Sequence, residues 1–301
     1  MSAQLGGTSR EWTVRASVGE ALVDATRRFR EAGVADPRRD ACRLMASLLD
    51  LDVGILLADP ERALTDAAGA RYEAMVRARV DRQPVSRILG EREFWSLPFG
   101  LAPATLDPRP DSETLVEIVL ARLPDRRATR RILDLGTGTG CLLLALLSEL
   151  PAATGVGVDR VPEAVSAARA NASRLGFDDR ATFAVGDWAH AVTGSFDVIV
   201  SNPPYLTEAE LAEAVPEVAR WDPRAALDGG ADGLAAYRRI LPQCHKRVAR
   251  DGLVVLEVGR GQADAVSWLA GAHGFTLSDR GVDLAGIERC VVATVAGARE
   301  G

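Results

Sequence analysis

Leu133-Asp-Leu-Gly-Thr-Gly-Thr-Gly140 is the stretch that decides the fold of this 301-residue chain. It completes a short apolar segment, 131–135, with the pattern of a strand, and a predicted helix opens near residue 140. A strand, a glycine-rich turn and a helix in this order are typical of a doubly wound α/β sheet, which binds nucleotide-like ligands at the carboxyl ends of its strands. Glycine lets the backbone approach a ligand closely because no Cβ intervenes. The candidate ligand-binding residues of this loop are Gly136, Thr137, Gly138, Thr139 and Gly140.

An acidic residue at the end of the next predicted strand supports this interpretation. Asp159 ends the segment 154–159, 19 residues after Gly140, where a carboxylate can accept hydrogen bonds from two ribose hydroxyls. The spacing Gly-x-Gly-x-Gly differs from the Gly-x-Gly-x-x-Gly of dinucleotide-binding enzymes. A glycine loop alone fits dehydrogenases and methyltransferases alike, and it also fits a tight turn without a ligand.

Outward from this loop, predicted strands and helices alternate through residues 112–301. We predict strands at 131–135, 154–159, 181–185, 196–201, 252–258, 274–280 and 287–295, and helices at 112–122, from about 140, at 162–175, 233–249 and 262–272. Apolar strands separated by helices indicate a mostly parallel sheet covered on both faces. The predicted fold class of this part is therefore α/β.

The first third of the chain has a different pattern. Residues 1–18 are polar and predict a flexible tail. Amphipathic helices follow within 19–88, where Asp36-Pro37 and Thr65-Asp66 have the features of helix starts, so we expect a small helical-bundle domain. The connector 89–111 contains four prolines and three aromatic residues, which predicts an ordered segment, a hairpin being one such form.

Charge and composition exclude several classes of protein. The formal net charge is -6: residues 1–110 carry 16 basic and 16 acidic side chains, and 111–301 carry 20 and 26. A bulk nucleic-acid binder usually has the opposite sign, so a nucleic-acid partner is disfavoured. The four cysteines and three histidines are scattered without metal-ligand spacing, and no apolar run reaches the roughly 18 residues of a membrane span. We expect a cytoplasmic, monomeric protein without a metal, a signal peptide or a membrane contact.

Asp187-Trp188 follows the third predicted strand of the sheet. An aromatic ring at this position can stack on an adenine, and a carboxylate can accept a hydrogen bond from its exocyclic amine. The alternative is a tryptophan that only closes the edge of the core.

Asn202-Pro-Pro-Tyr205 ends the fourth predicted strand, at the same rim as the glycine loop. A planar NH2 group is a poor nucleophile because its lone pair is delocalised. Hydrogen-bond acceptors for both of its N–H groups can fix the nitrogen and point its lone pair at an electrophile. Asn202 can offer its side-chain oxygen and Pro203 its rigid backbone carbonyl, while Tyr205 can pack on the flat group. The electrophile would be the methyl group of S-adenosylmethionine, and catalysis would be mainly positioning. A Pro-Pro loop that merely terminates a strand is the alternative.

With these residues in view, the chain resembles the class I S-adenosylmethionine-dependent methyltransferases, and more closely the bacterial release-factor glutamine N(5)-methyltransferases, the HemK/PrmC family. The resemblance runs from about Pro84 to about Ala296. The stretches that carry it are Arg92-Glu-Phe-Trp-Ser-Leu-Pro98, Pro108-Arg-Pro-Asp-Ser-Glu113, Leu133 to Gly140, Asn202 to Tyr205, Glu217-Val with Asp222-Pro, Leu227-Asp-Gly-Gly-Ala-Asp-Gly-Leu234, Glu257-Val-Gly259 and Asp283-Leu-Ala-Gly-Ile-Glu-Arg289.

The resemblance implies a seven-stranded Rossmann-like methyltransferase sheet and a five-helix N-terminal domain that docks the substrate protein. The implied substrate is the glutamine of the Gly-Gly-Gln loop in class 1 peptide-chain release factors, and the cofactor product is S-adenosylhomocysteine. Carried over by position, Gly136 to Gly140, Asp159, Trp188 and Asn202 would contact the cofactor. Asn202, Pro203, Pro204 and Tyr205 would hold the glutamine amide, with Asn202, Pro203 and Tyr205 as the catalytic set.

Three other functions remain open on the sequence. A sister enzyme that methylates a glutamine of a ribosomal protein would share the tetrapeptide, although the Pro108-to-Glu113 stretch resembles the release-factor branch. An N(6)-adenine nucleic-acid methyltransferase would share it too, but needs a basic face for phosphates. A scaffold that uses the fold for protein binding, without cofactor, is the third.

Overall fold

The computed structural model describes residues 17–295, and the chain divides after Leu89 into two compact units. Most of the predicted tail, before Ser17, lies outside the described residues, as does the stretch after Val295. Within the described range, no helix has both the length and the apolar character to cross a membrane.

The N-terminal unit consists of helices, as the amphipathic pattern predicts. Among its described residues these are α1 (Val18–Glu31), α2 (Pro37–Leu49), α3 (Val53–Ala58), α4 (Asp66–Val80) and α5 (Val85–Leu89). Ser17 and Glu20 form a reciprocal capping box at the start of α1, so this helix begins at the last residue of the predicted tail. Thr65 caps α4 through the amide of Ala68, whereas Asp36 precedes α2 without a side-chain capping bond.

One apolar core holds these helices together. Phe29, Leu44, Met45 and Tyr72 are fully buried in it, and burial of a large apolar side chain stabilises a fold by about 1.5–3 kcal/mol. The Tyr72 hydroxyl donates to the carbonyl of Ala41 at 3.0 Å, so the polar end of the largest core side chain has a partner.

The predicted connector contains a hairpin and belongs to the second unit. Strands β1 (Glu91–Phe94) and β2 (Leu97–Gly100) pair antiparallel, and a short 3₁₀ helix follows at Pro110–Ser112. The two turn residues, Trp95 and Ser96, both have positive φ (52° and 57°), a backbone form that matches the twist of hairpin strands. The turn is held from outside, because the Trp95 amide and indole N–H groups donate to Glu113 and Glu149.

The second unit is built on a seven-stranded, mostly parallel sheet in the order β5-β4-β3-β6-β7-β9-β8, in which β9 runs antiparallel to both of its neighbours. The strands are β3 (Arg131–Leu135), β4 (Thr154–Asp159), β5 (Ala181–Val185), β6 (Phe196–Ser201), β7 (Val248–Glu257), β8 (Phe275–Val282) and β9 (Glu288–Val295). The helices are α6 (Glu113–Arg122), α7 (Cys141–Glu149), α8 (Pro162–Arg174), α9 (Glu208–Glu213), α10 (Pro216–Trp221), α11 (Ala235–His245) and α12 (Ala263–Ala272). This is the predicted α/β architecture.

Both faces of the sheet are covered, which explains the continuous apolar strands. Ile132 belongs to the core beneath α6, α7 and α8, while its neighbour Leu133 belongs to the core beneath α11 and α12. The chain builds β4 and β5 on one side of β3 and then crosses to place β6 on the other. Ligands bind at such a switch point in open α/β sheets, and here the glycine loop follows β3 while Asn202 follows β6.

Two segments differ from the prediction. The helix predicted at 233–249 ends at His245, and the strand after it starts already at Val248. The region between β6 and α11, without predicted structure, contains α9 and α10. Each of these helices has six residues, which is too short to show a helical period in the sequence.

Candidate active site at the carboxyl ends of the strands

A cleft opens at the carboxyl ends of β3, β4 and β6. The residues predicted for ligand binding that line it are Gly136, Thr137, Gly138, Thr139, Asp159, Trp188, Asn202 and Pro204. Gly140, Pro203 and Tyr205 are absent from its lining. Gly140 is the N-cap residue of α7, Pro203 is buried, and Tyr205 is partly buried and packs against the second unit's core.

The glycine loop has a backbone conformation that favours glycine. Gly136, Gly138 and Gly140 have φ of 75°, 55° and 82°, in the left-handed region. The amides of Gly136 and Thr137 both donate to the carbonyl of Val158, at 2.8 and 3.0 Å, which ties the loop to the end of β4. The loop is therefore a fixed cradle, and its glycines add no side chain to the wall of the cleft.

Asp159 helps to hold this cradle. Its Oδ2 accepts the amide of Gly138 at 3.0 Å and its Oδ1 accepts the amide of Val161 at 2.9 Å. Each carboxylate oxygen has a further lone pair, and the residue lines the cleft. Asp159 can thus shape the glycine loop and still accept hydrogen bonds from a ligand.

Trp188 packs against the glycine loop. Its ring atom Cζ3 lies 3.4 Å from the position that a Cβ on Gly136 would take, and its own backbone has a φ of 53°. Positive φ is rare for a bulky residue and costs free energy, a pattern that clusters at functional sites. The adjacent Asp187 forms an ion pair with Arg239 at 2.5 Å, so this carboxylate already has a cationic partner.

Asn202 and Pro203 place hydrogen-bond acceptors at the end of β6. The Asn202 Nδ2 group donates to the hydroxyl of Ser112 at 3.0 Å, which turns this amide's nitrogen toward Ser112. Among residues 17–295, neither Oδ1 of Asn202 nor the backbone carbonyl of Pro203 accepts a hydrogen bond. Both oxygens, in consecutive residues, therefore lack an internal hydrogen-bond donor.

Tyr205 is anchored by its backbone and by its hydroxyl. Gln262 donates from Nε2 to the Tyr205 carbonyl at 2.9 Å and accepts the Gly259 amide at 3.0 Å, which fixes the orientation of its own amide. The Tyr205 hydroxyl lies 3.4 Å from Oε1 of Glu257, whose side chain is 1% exposed. A Cβ on Gly229 would lie 2.7 Å from the Tyr205 Cα, so the Leu227-to-Leu234 stretch must keep its glycine there.

Two carboxyl groups in this region have perturbed pKa values. Burial raises the pKa of Asp134 to about 7, opposed by the Thr137 hydroxyl that donates to it at 2.6 Å. Burial also raises the pKa of Glu257 to about 7, opposed by the Ser112 hydroxyl, by the positive charge of Arg289 and by the Tyr205 hydroxyl. Perturbed carboxyl groups beside a cleft are typical of functional sites.

Three buried side chains of the site have no prediction of their own from the sequence: Ser112, Asn171 and Glu257. Asn171 of α8 accepts from the Gly100 amide at 2.8 Å and donates to the Thr139 carbonyl at 2.9 Å, so it links the hairpin to the glycine loop. Ser112 and Glu257 lie inside stretches quoted above for the family resemblance, which is the one sequence signal that includes them.

Comparisons with known proteins agree with this geometry. A family model described as the PrmC N-terminal domain matches residues 20–90, and one described as a methyltransferase domain matches 127–229. The catalytic domain of hMettl16, solved with an RNA hairpin of the MAT2A 3'UTR, has a TM-score of 0.56 at 14% identity and covers 79% of this chain and 86% of that one. That likeness shows the fold alone.

Two curated relatives match nearly the whole chain. The release factor glutamine methyltransferase of Rhodospirillum rubrum is 49% identical and covers 92% of this chain and 84% of that protein. The protein with the same description from Bradyrhizobium diazoefficiens is 44% identical, with 91% and 95% covered. At this identity and coverage, the chain belongs to the family of release factor glutamine methyltransferases.

Proposed function

We propose that this protein methylates the side-chain amide nitrogen of the glutamine in the Gly-Gly-Gln loop of class 1 peptide-chain release factors, with S-adenosylmethionine as the methyl donor. The observation that carries the proposal is the pair of oxygens without an internal donor, Asn202 Oδ1 and the Pro203 carbonyl, in a chain 49% identical to a release factor glutamine methyltransferase. A primary amide is the neutral planar NH2 group that two such acceptors suit.

The residues around the cleft fit S-adenosylmethionine. The glycine loop offers a surface without side chains, Asp159 keeps lone pairs for the ribose hydroxyls, and the Trp188 ring lies at the wall for the adenine. When bound, this cofactor supplies an electrophilic methyl group on a sulfonium. Asn202 is proposed to contact it as well, because its side chain lines the same cleft.

The catalytic work of the chain is positioning. Asn202 Oδ1 and the Pro203 carbonyl each accept a hydrogen bond from one N–H group of the glutamine amide. These two hydrogen bonds fix the nitrogen and turn its lone pair toward the methyl carbon. Pro204 is proposed to contact the glutamine side chain and Tyr205 to pack on the flat amide, while proline at 203 limits backbone movement. Methyl transfer to this nitrogen would leave S-adenosylhomocysteine as the second product, and the methylated nitrogen would lose one proton to water. No metal takes part in this scheme.

The proposed partner is a translation factor, so we place the activity in the cytoplasm, with no membrane or nucleic acid required. The helical N-terminal unit at residues 19–88 is the proposed docking domain for the release factor, and the second unit carries the chemistry. We propose that one copy of the chain suffices. Activity proportional to enzyme concentration, at concentrations where light scattering gives a mass near 32 kDa, is the expected result.

Transfer to a purified release factor tests the proposal. The full chain is incubated with S-adenosylmethionine and unmodified release factor, and the tryptic peptide of the Gly-Gly-Gln loop is mapped by mass spectrometry. We expect one methyl group, on that glutamine, with no change on addition of a chelator. Ribosomal proteins and DNA are offered in parallel reactions. Methylation of either one in place of the release factor contradicts the proposed substrate, and absence of transfer to all of them contradicts the proposed activity.

A further inference from the structure

We propose that Ser112 and Glu257 form a relay that sets the orientation of the Asn202 side-chain amide, so that its oxygen and not its NH2 group faces the substrate. Both are positioning residues that act through Asn202, and the catalytic consequence rests on the proposed function. The relay itself is a property of the folded chain and can be observed without substrate.

The three side chains come from distant parts of the sequence and meet at the switch point of the sheet. Ser112 lies in the 3₁₀ helix before α6, Asn202 follows β6, and Glu257 ends β7. Ser112 is 3% exposed and Glu257 is 1% exposed, so both side chains are buried. Asn202 Nδ2 donates to Ser112 Oγ at 3.0 Å, while the buried Oε2 of Glu257 has no hydrogen-bond partner among the described residues. In the proposed relay, the Ser112 hydroxyl supplies that missing donor.

The polarity of the relay follows from the donor and acceptor capacity of each group. An ionised carboxylate can only accept hydrogen bonds, so Glu257 draws the hydroxyl hydrogen of Ser112 toward itself. The Ser112 oxygen then presents lone pairs to Asn202, and only the NH2 end of that amide can satisfy them. The oxygen of the Asn202 amide is thereby left facing the cleft.

The opposite orientation has a direct cost for the reaction. With the amide turned over, Asn202 would present an NH2 group to the NH2 group of the substrate, two donors with no acceptor between them. The isolated amide has no strong preference between the two orientations, because its oxygen and nitrogen ends are nearly equal in size. A group that breaks this symmetry is therefore needed, and Ser112 is the residue in contact.

Ionisation of Glu257 controls the relay. The groups that act on or are coupled to this carboxyl are the Ser112 hydroxyl and the titratable side chains of Asp111, Arg289, Tyr205, Cys141, Cys290 and Tyr237. Arg289 and the two hydroxyl donors favour the carboxylate, whereas burial and the charge of Asp111 favour the acid, with a net pKa of about 7. When Glu257 is protonated it has a proton to donate itself, so it no longer dictates the direction of the Ser112 hydroxyl. Turnover is expected to rise as pH increases through about 7.

Selective labelling offers a direct view of the relay, because Asn171 and Asn202 are the two asparagines of the whole sequence. In the full chain labelled with ¹⁵N at the asparagine side chains, the Asn202 NH2 signals are expected to shift with pH around a midpoint near 7. Glu257→Gln should abolish this shift. The Asn171 signals serve as an internal reference, since that amide is held by Gly100 and Thr139.

Asp134 also has a pKa near 7, so Asp134→Asn is the necessary control, and it should leave the pH-dependent shift of Asn202 in place. The relay is overturned if the Asn202 signals do not change with pH, or if they shift in Glu257→Gln as much as in the wild type. This holds whatever the activity of the enzyme. A shift that disappears in Asp134→Asn also overturns it, because the carboxyl responsible is then a different one.

Kinetics with the release factor then test the consequence. Ser112→Ala should lower kcat at least tenfold while the Kd of S-adenosylmethionine changes less than twofold, and Ser112→Thr, which retains the hydroxyl, should recover most of the rate. Ser112→Ala and Glu257→Gln combined should lower kcat no more than Ser112→Ala alone, since both act through the same amide.

Tyr237→Phe is the matched structural control, because the Tyr237 hydroxyl donates to the backbone carbonyl of Glu257 at 2.8 Å and not to its carboxyl group. It should lower stability without changing the pH profile of kcat. A Ser112→Ala enzyme with the wild-type kcat overturns the inference and leaves the proposed function intact. A wild-type chain that methylates no release factor refutes the proposed function. In that case the pH dependence of the labelled Asn202 signals still tests the relay.

Discussion

The hydroxyl of Ser201 donates a 2.6 Å hydrogen bond to the carbonyl of Leu135. Ser201 is the last residue of β6 and Leu135 the last of β3, and the two are paired in the parallel ladder. Asn202 follows the first residue and Gly136 follows the second, so this bond joins the two loops at their bases. The proposed acceptors for the substrate amide and the proposed cradle for the cofactor are therefore held in one register.

Ser201→Ala is expected to lower kcat more than it lowers stability. Loss of one buried hydrogen bond costs about 1 kcal/mol of the free energy of unfolding, and a small shift of Asn202 relative to the glycine loop costs further in rate. The prediction is a loss of kcat of about tenfold or more at a temperature where the variant is fully folded, measured by methyl transfer and circular dichroism.

Ser148→Ala is the control for that variant. Its hydroxyl also donates to a backbone carbonyl, that of Ala145 at 2.7 Å, but it lies exposed on α7. We expect wild-type kcat for this variant. An equal fall in kcat for both variants would show that the bond between β6 and β3 has no special role.

Asn202→Ala is expected to separate chemistry from cofactor binding. The substitution removes the proposed acceptor for one N–H bond of the substrate, and loss of one positioned hydrogen-bonding group in an active site typically costs about 10² to 10³ in kcat. The glycine loop and Asp159 are untouched, so calorimetry should find a Kd for S-adenosylmethionine within about threefold of wild type, on the same principle. Retention of activity near wild type would remove Asn202 from the proposed mechanism.

Gly136→Ala is expected to weaken cofactor binding. Gly136 has a φ of 75°, so alanine is strained there, and the new methyl group would lie 3.4 Å from the Trp188 ring. Relief of that strain moves the backbone that lines the cleft. We predict at least a tenfold higher Kd for S-adenosylmethionine by calorimetry, on the order of 1.4 kcal/mol.

Gly176→Ala is the control that distinguishes the effect of backbone strain from the effect of a position in the cleft. Gly176 has nearly the same φ, 77°, and open space around its Cβ position, but it lies after α8 and outside the cleft lining. It should show a similar loss of stability with an unchanged Kd. An equal rise in Kd for the two variants would mean that the glycine loop affects binding only through global stability.

The sequence predicts the sheet well because each parallel strand is a short apolar run bounded by polar or glycine residues. The predicted bounds of β3, β4, β5 and β6 agree with the structure at both ends. The start of β7 is missed because Val248 to Asp251 lacks the apolar character of the strand interior and pairs with β6 at only one position, Phe196, before the register shifts. α9 and α10 are missed for lack of length.

The site is predictable only in part. Its loops have recognisable local sequence patterns, whereas the residues that hold those loops in place do not. Gly136 and Asn202 stand in recognisable motifs at strand ends. The contact between Asn202 and Ser112 joins residues 90 positions apart, and no periodicity or spacing encodes it. Arg289 likewise bridges Asp111 and Asp283, at 2.6 and 2.7 Å, and so brings the Pro108-to-Glu113 stretch to the C-terminal one. Such partners become visible only when the topology brings the strand ends together.

Asp134→Asn is expected to stabilise the protein at neutral and alkaline pH but not in acid. In the folded chain Asp134 is 1% exposed and its pKa is raised to about 7, whereas in the unfolded chain it titrates near 3.8. Between these values the unfolded state has lost its proton and the folded state has kept it, so the free energy of unfolding of the wild type falls as pH rises from about 4 to about 7. Above about pH 7 both states are ionised and this contribution stays constant.

The variant lacks that titration, while Oδ1 of the new asparagine can still accept the Thr137 hydroxyl that Asp134 accepts at 2.6 Å. The difference in unfolding free energy between variant and wild type should therefore grow from near zero at pH 4 to at most about 4 kcal/mol at pH 8. Urea unfolding at several pH values measures it, and Glu257 contributes equally to both proteins and cancels. A difference that does not change with pH would mean that Asp134 is ionised in the folded protein throughout the range, and that the buried carboxylate is stabilised by its surroundings after all.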